Sequence, residues 1–116
     1  MIDINDATMA AMRTAIDGLA ARQRIIAQNI ANAETPGYIA QRVTFESSLR
    51  SAMADGDPSA AHIGVESTSD PAGVNGNNVQ LDQENVQLVE SGLMFQAMTE
   101  ALNTKFQILR TSLRRD

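Results

Sequence analysis

Between Met9 and Ala33 the chain carries Met9, Met12, Ile16, Leu19, Gln23, Ile26, Ile30 and Ala33 at intervals of 3, 4, 3, 4, 3, 4 and 3. Such a series puts one seam along one face of a helix, with Gln23 as its single polar member. The series then runs into Thr35-Pro36-Gly37-Tyr38. Pro36 has no N–H and pushes Thr35 out of the α region. Pro36 and Gly37 fit the two central positions of a type II turn, and Asn32 tolerates a helix end. The pattern predicts a helix from about Asp6 to Asn32, roughly 40 Å long. Its length is fixed, as helices that pack in register require. Asn5 or Asp6 is placed to cap its start, Asp3 and Asp6 complement its dipole, and Arg13 and Asp17 form an i,i+4 pair.

A second stripe on this helix, Ala11, Ala15, Gly18, Ala27 and Ala31, invites close approach by another helix. Hydrophobic residues make up 43% of the 116, yet aromatics only 3%, so thin Ala/Ile/Leu/Met seams suit the chain better than a thick core. One small domain is the most that this length holds.

The final third predicts the matching helix. Val79-Gln80-Leu81 leads to Asp82 as the expected cap, with Glu84 in the first turn. The expected seam is Leu81, Asn85, Leu88, Gly92, Phe95, Thr99, Leu102, Phe106, Leu109 and Leu113. Val86, Val89 and Leu93 form a second apolar face. Arg110, Arg114 and Arg115 suit the C-terminal end of the dipole.

Three segments follow: residues 1–35, a core helix and turn; 36–77, a connector; and 78–116, the second core helix. In the connector, Ile39, Val43 and Phe45 fall on one side of an extended run, and Phe45 to Met53 reads as a short helix. Ser51 to Asn78 holds four of the seven glycines and two of the three prolines, a loop-like composition. The expected fold is therefore all-α: two long N- and C-terminal helices in an antiparallel coiled-coil hairpin, joined by an extended and partly disordered connector.

The residue inventory disfavours catalysis. His62 is the only histidine and cysteine is absent, so no thiolate site or disulfide is available. His62 reads as a solvated loop residue. Asp55 with Asp57, and Asp82 with Glu84, read as solubilising and capping groups. Gly73-Val74-Asn75-Gly76 lacks the lysine and context of a phosphate loop, and Ala72 and Val74 spoil a calcium loop starting at Asp70. No catalytic residue, cofactor or metal is expected. A net charge of −5 argues against nucleic acid. No stretch reaches the ~18 apolar residues of a membrane span. The N-terminus lacks the basic and apolar regions of a secretory signal, so the expectation is a soluble protein, cytoplasmic or exported without a cleaved signal.

A hairpin of these helices would leave the Ala stripe and the Val86/Val89/Leu93 face uncovered, which marks an interaction surface. Subunits related by a rotation that does not close stack into a helical tube. Self-association in a helical assembly is expected.

Asn29-Ile30-Ala31-Asn32-Ala33-Glu34-Thr35-Pro36-Gly37-Tyr38 resembles the N-terminal signature of the bacterial flagellar rod, hook and hook-associated axial proteins. Gly76-Asn77-Asn78-Val79-Gln80-Leu81-Asp82 and Glu84 resemble the lead into the last helix of a proximal rod protein. Phe95 to Thr99, and Leu102-Asn103 with Lys105-Phe106 and Leu109 to Thr111, are similar too. A sister proximal rod protein usually lacks the Gly-Asn-Asn lead and the Lys-Phe pair. It stays an alternative, as do another axial rod subunit and a soluble coiled-coil adaptor. Met94-Phe95 and Ala40-Gln41 depart from the common residues.

The resemblance implies a structural subunit of the proximal rod in the flagellar basal body, transmitting torque from motor to hook across the periplasmic space. It implies type III export, and as partners the other rod proteins, a FliE-type adaptor, the MS ring and the export gate. Asn29, Asn32, Thr35, Pro36, Gly37 and Tyr38 would be the signature turn; Asn29 and Asn32 either satisfy a helix end or touch other subunits. The packing seam would be Met12, Ile16, Leu19, Ile26, Ile30, Leu88, Phe95, Leu102, Phe106, Leu109 and Leu113. Phe45 and Leu49 match the Phe-x-x-x-apolar pattern that docks early substrates at the export gate, or form a half-turn of apolar packing.

Overall fold

The computed structural model describes residues 2–114, with side chains from residue 7 onward. Helix α1 spans Ile2–Ala31, strand β1 Gln41–Thr44, helix α2 Glu46–Ala54, a single 3₁₀ turn Pro58–Ala60, strand β2 Gly64–Ser67 and helix α3 Leu81–Arg114. The two long helices dominate, and the fold measures 68 × 26 × 14 Å. Its radius of gyration, 17.9 Å, exceeds the roughly 13 Å expected of a compact chain of this length. It is a rod.

Contacts along the rod fix its direction. Asn29 meets Glu84, Gln23 lies against Gly92, and the Arg13 guanidinium sits over the Phe106 ring. As numbers fall along α1 they rise along α3, so the helices are antiparallel.

All-α is not an exact description. β1 and β2 form an antiparallel pair with Gln41 opposite Ser67, Arg42 opposite Glu66, Val43 opposite Val65 and Thr44 opposite Gly64. The connector is also not left loose. It doubles back along α1 and buries Val43, Phe45 and Ala52. The reason is the small-residue stripe: Phe45 lies so close to Gly18 that a Cβ there would be 2.5 Å from its ring. Ala15, Leu19, Ala21, Val43 and Phe45 form the core, with Ile25, Leu49, Phe95 and Met98 packed on it. Three of the five stripe residues expected to stay bare, Ala11, Ala15 and Gly18, are thus buried within the chain, while Ala27 and Ala31 remain exposed.

Several local expectations shift. α1 begins at Ile2, so Asn5 and Asp6 lie within its first turns and not at its cap; their side chains and that of Asp3 lie outside the described residues. α3 begins one residue early, placing Asp82 inside the first turn. Arg13 stacks on Phe106 at 6.0 Å and makes no ion pair with Asp17. Arg114 lies in the last turn of α3, and Arg115 lies outside the described residues.

The α3 seam is rotated. Leu88, Phe95, Leu102 and Leu109 are half-buried, and the residues that share their side of α3 are Glu84, Ser91, Met98 and Lys105. Asn85 is exposed, Leu81 is 46% exposed, Phe106 37% and Leu113 86%. Leu113 therefore lies outside the seam. The rotation has a cause: Glu84 is drawn fully inside by hydrogen-bonding partners, and the helix turns to follow it.

Candidate functional site

Asn29 and Glu84 are both 0% exposed and sit where the end of α1 crosses the start of α3. The Asn29 Nδ2 donates to the Gln41 carbonyl at 2.8 Å and to Glu84 Oε2 at 3.2 Å. Its Oδ1 accepts from the Gln41 N–H at 3.0 Å and from the Tyr38 hydroxyl at 3.2 Å. One amide therefore ties α1 to the strand and to α3. The other Glu84 oxygen accepts from Arg42 of β1 at 2.6 Å. A buried carboxylate is tolerable only when paired and hydrogen-bonded, and here both oxygens are engaged. Burial, then the Glu84 carboxylate, push the Tyr38 phenol above its ordinary value.

The turn and the lead into α3 interlock around this centre. Asn32 Nδ2 donates to the Gln28 carbonyl at 2.9 Å and Asn32 Oδ1 accepts from the Thr35 hydroxyl at 3.1 Å. The Tyr38 N–H donates to the Thr35 carbonyl at 3.2 Å, with Gly37 at φ +75, while Pro36 is exposed. This positive φ is what the turn asks of glycine. Gly37 donates its N–H to the Asn75 carbonyl at 2.9 Å. Asn77 Nδ2 bonds the carbonyls of Asn32 and Thr35, each at 2.8 Å. Asn77 Oδ1 accepts from the Val79 N–H at 2.8 Å. Asn78 Oδ1 accepts from the Ala40 N–H at 2.7 Å, and its Nδ2 donates to Thr68 Oγ1 at 2.9 Å. Gly76, at φ +82, brings its backbone so near that a Cβ would lie 3.3 Å from Gly37 Cα. Among the described residues, every buried side-chain nitrogen and oxygen has a partner. A network satisfied this fully fixes a shape.

Sequence reasoning places Asn29, Asn32, Thr35, Pro36, Gly37 and Tyr38 in one turn but does not foresee Glu84, Arg42, Asn77 and Asn78 as their partners. Glu84, which reads as a solvated first-turn acid, is among the most deeply buried polar groups. A signal for this exists: its heptad phase matches Leu88 and Phe95 as well as Asn85 does. Of the expected seam, Leu19 and Ile26 are buried, and Met12, Ile16, Ile30, Leu88, Phe95, Leu102 and Leu109 are half-buried.

A second anchor lies midway along α1. Arg22 reaches both oxygens of Glu46, at 2.6 and 2.7 Å, and the Val43 carbonyl at 2.8 Å. Its guanidinium stacks on Phe45 at 4.9 Å. The Arg22 hydrogen bonds hold the Glu46 carboxyl below its usual value despite some burial. Phe45 is buried, and Leu49 is half-buried one helical turn along. His62 is exposed; its N–H donates to the Ser48 hydroxyl at 3.0 Å, tying the connector to α2.

Outside these anchors, Val86, Val89 and Leu93 are 56%, 63% and 63% exposed on the side of α3 that faces away from α1. Among the described residues, no helix is long and apolar enough to cross a membrane.

A family model described as "Flagella basal body rod protein" matches residues 11–38, the later part of α1 and the whole signature turn. The flagellar basal body rod protein FlgB of Salmonella typhimurium is 31% identical, over 92% of this chain and 93% of its own. That of Bacillus subtilis is 31% identical, over 91% and 92%. That of Escherichia coli is 30% identical, over 89% and 90%. The chain belongs to the FlgB family of flagellar basal body rod proteins. The alignments with FlgB span both long helices and the connector, so the junction lies inside the shared region. Family membership favours FlgB over the sister rod protein FlgC.

Proposed function

We propose that this FlgB-family chain is a structural subunit of the proximal rod, built to be a stiff antiparallel coiled-coil hairpin that polymerises through its terminal helices. Torque transmission needs elements that neither slide nor splay. The observation that carries the reading is the buried Asn29–Glu84–Arg42 junction, which locks helix register at one end while an apolar face stays free for neighbours. Its partners on this reading are other rod proteins, a FliE-type adaptor and the MS ring, and its place is the periplasmic part of the basal body.

Export through the flagellar type III gate without a cleaved signal belongs to the same reading. Phe45 is buried against Gly18 in the folded chain. A gate that reads Phe45 and Leu49 must therefore meet the chain before it folds.

Deleting the gene and imaging basal bodies tests the proposal. Loss of rod, hook and filament, restored by the wild-type chain, is expected. Complete rods in the deletion strain would overturn it.

A further inference from the structure

A groove of about 330 Å³ opens between α1, α2 and α3, lined by Leu19, Phe45, Leu49, Met53, Met94 and Met98. Liquid water would place about ten molecules there, against an almost wholly apolar wall. Three of its nine lining residues are methionines, which re-pack around an incoming group more readily than branched residues do. Arg50 stands at the rim and forms no ion pair among the described residues, whereas its neighbour Glu46 is neutralised by Arg22.

The exposed Val86/Val89/Leu93 face has the opposite charge. Asp82 and Glu90 flank it, both exposed, and neither forms an ion pair among the described residues. Two such faces packed in register would set carboxylates against carboxylates. The groove offers an apolar receptor with a free cation at its edge.

We propose that the Val86/Val89/Leu93 face of one copy docks into the α1–α2–α3 groove of a second copy, with Glu90 of the first against Arg50 of the second. This rests on the reading of the chain as a self-assembling subunit and names the surfaces that meet. Leu93 and Met94 point roughly 100° apart around α3. Donor and receptor surfaces are therefore different patches of one molecule, and the contact is head-to-tail. Repeated without closure, it grows an open helical array and not a dimer.

The chain has no cysteine, so single introduced thiols report contacts without background. Purified full-length Val89→Cys and Met53→Cys chains carrying different tags are mixed and oxidised, with circular dichroism confirming native helix content. The expected product is the mixed disulfide that joins position 89 of one copy to position 53 of the other. In sedimentation, Arg50→Glu and Glu90→Arg should each weaken self-association about fivefold, as exposed pairs do, and their combination should restore it. Val89→Cys homodimers as the main product, charge reversals without rescue, or a wild-type chain that stays monomeric at all concentrations would overturn the docking. None of these would alter the rod loss expected on gene deletion, so the two readings fail separately.

Discussion

The Asn29 amide donates to the Glu84 carboxylate at 3.2 Å across 55 positions of sequence, and neither side chain reaches solvent. This one contact sets the register between the two long helices. It also explains why α3 is rotated from its most apolar phase: satisfying a buried carboxylate outweighs burying Leu81 or Phe106 more deeply.

Asn29→Asp is nearly isosteric yet replaces the donor with a second carboxylate beside Glu84. It should cost about 3 kcal/mol at neutral pH. Urea unfolding should show part of this recovered as pH falls, because protonating either carboxyl restores a donor. An unchanged midpoint at neutral pH would contradict the junction.

Arg42→Ala leaves Glu84 buried without its cation, whereas Glu84→Gln removes the charge and keeps an acceptor for one of the two donors, its amide nitrogen facing the other. The first should cost about 3 kcal/mol and the second about 1–2 kcal/mol. The order of the two unfolding midpoints is the check.

Gly18→Ala should lower the melting temperature. An alanine in a helix ordinarily gains about 1 kcal/mol over glycine. Here its Cβ would press into the Phe45 ring at 2.5 Å, and overpacking costs about 1–3 kcal/mol. A raised melting temperature would show that the connector does not seat on α1 as described.

Two groups give stability a defined pH dependence. The Glu46 carboxyl is held below its ordinary 4.5, so its contribution is present above that value and lost as pH falls through the lower folded value. Glu46 is exposed, so the effect is modest, and Glu46→Gln should flatten it. The Tyr38 phenol is held above its ordinary 10.0. Its contribution is complete below 10.0 and is lost as pH rises through the folded value. Tyr38→Phe should remove that alkaline limb in pH-dependent melting.

Both long helices are legible in the sequence because their apolar periodicity extends over many turns, and the turn at Pro36-Gly37 because proline and glycine dictate backbone angles locally. The connector is legible only in part: its extended run and short helix are read near where β1 and α2 form, but the packing of the connector is not. Its Gly, Ser and Pro content reads as loop, and what orders it is non-local: Phe45 needs the notch at Gly18, and Ala40 needs the amide of Asn78. Glu84 misleads for the same reason. A lone acid near a helix start looks like a capping charge until Asn29 and Arg42 arrive from other parts of the chain. The exposed Val86/Val89/Leu93 face, by contrast, follows directly from having more apolar stripes than one partner helix can cover.

The most direct test is a side-chain-resolution map of intact basal bodies. The chain should lie at the base of the rod, with α1 and α3 antiparallel and Asn29 against Glu84. A map that places it outside the rod, or that separates the two helices, would contradict this reading.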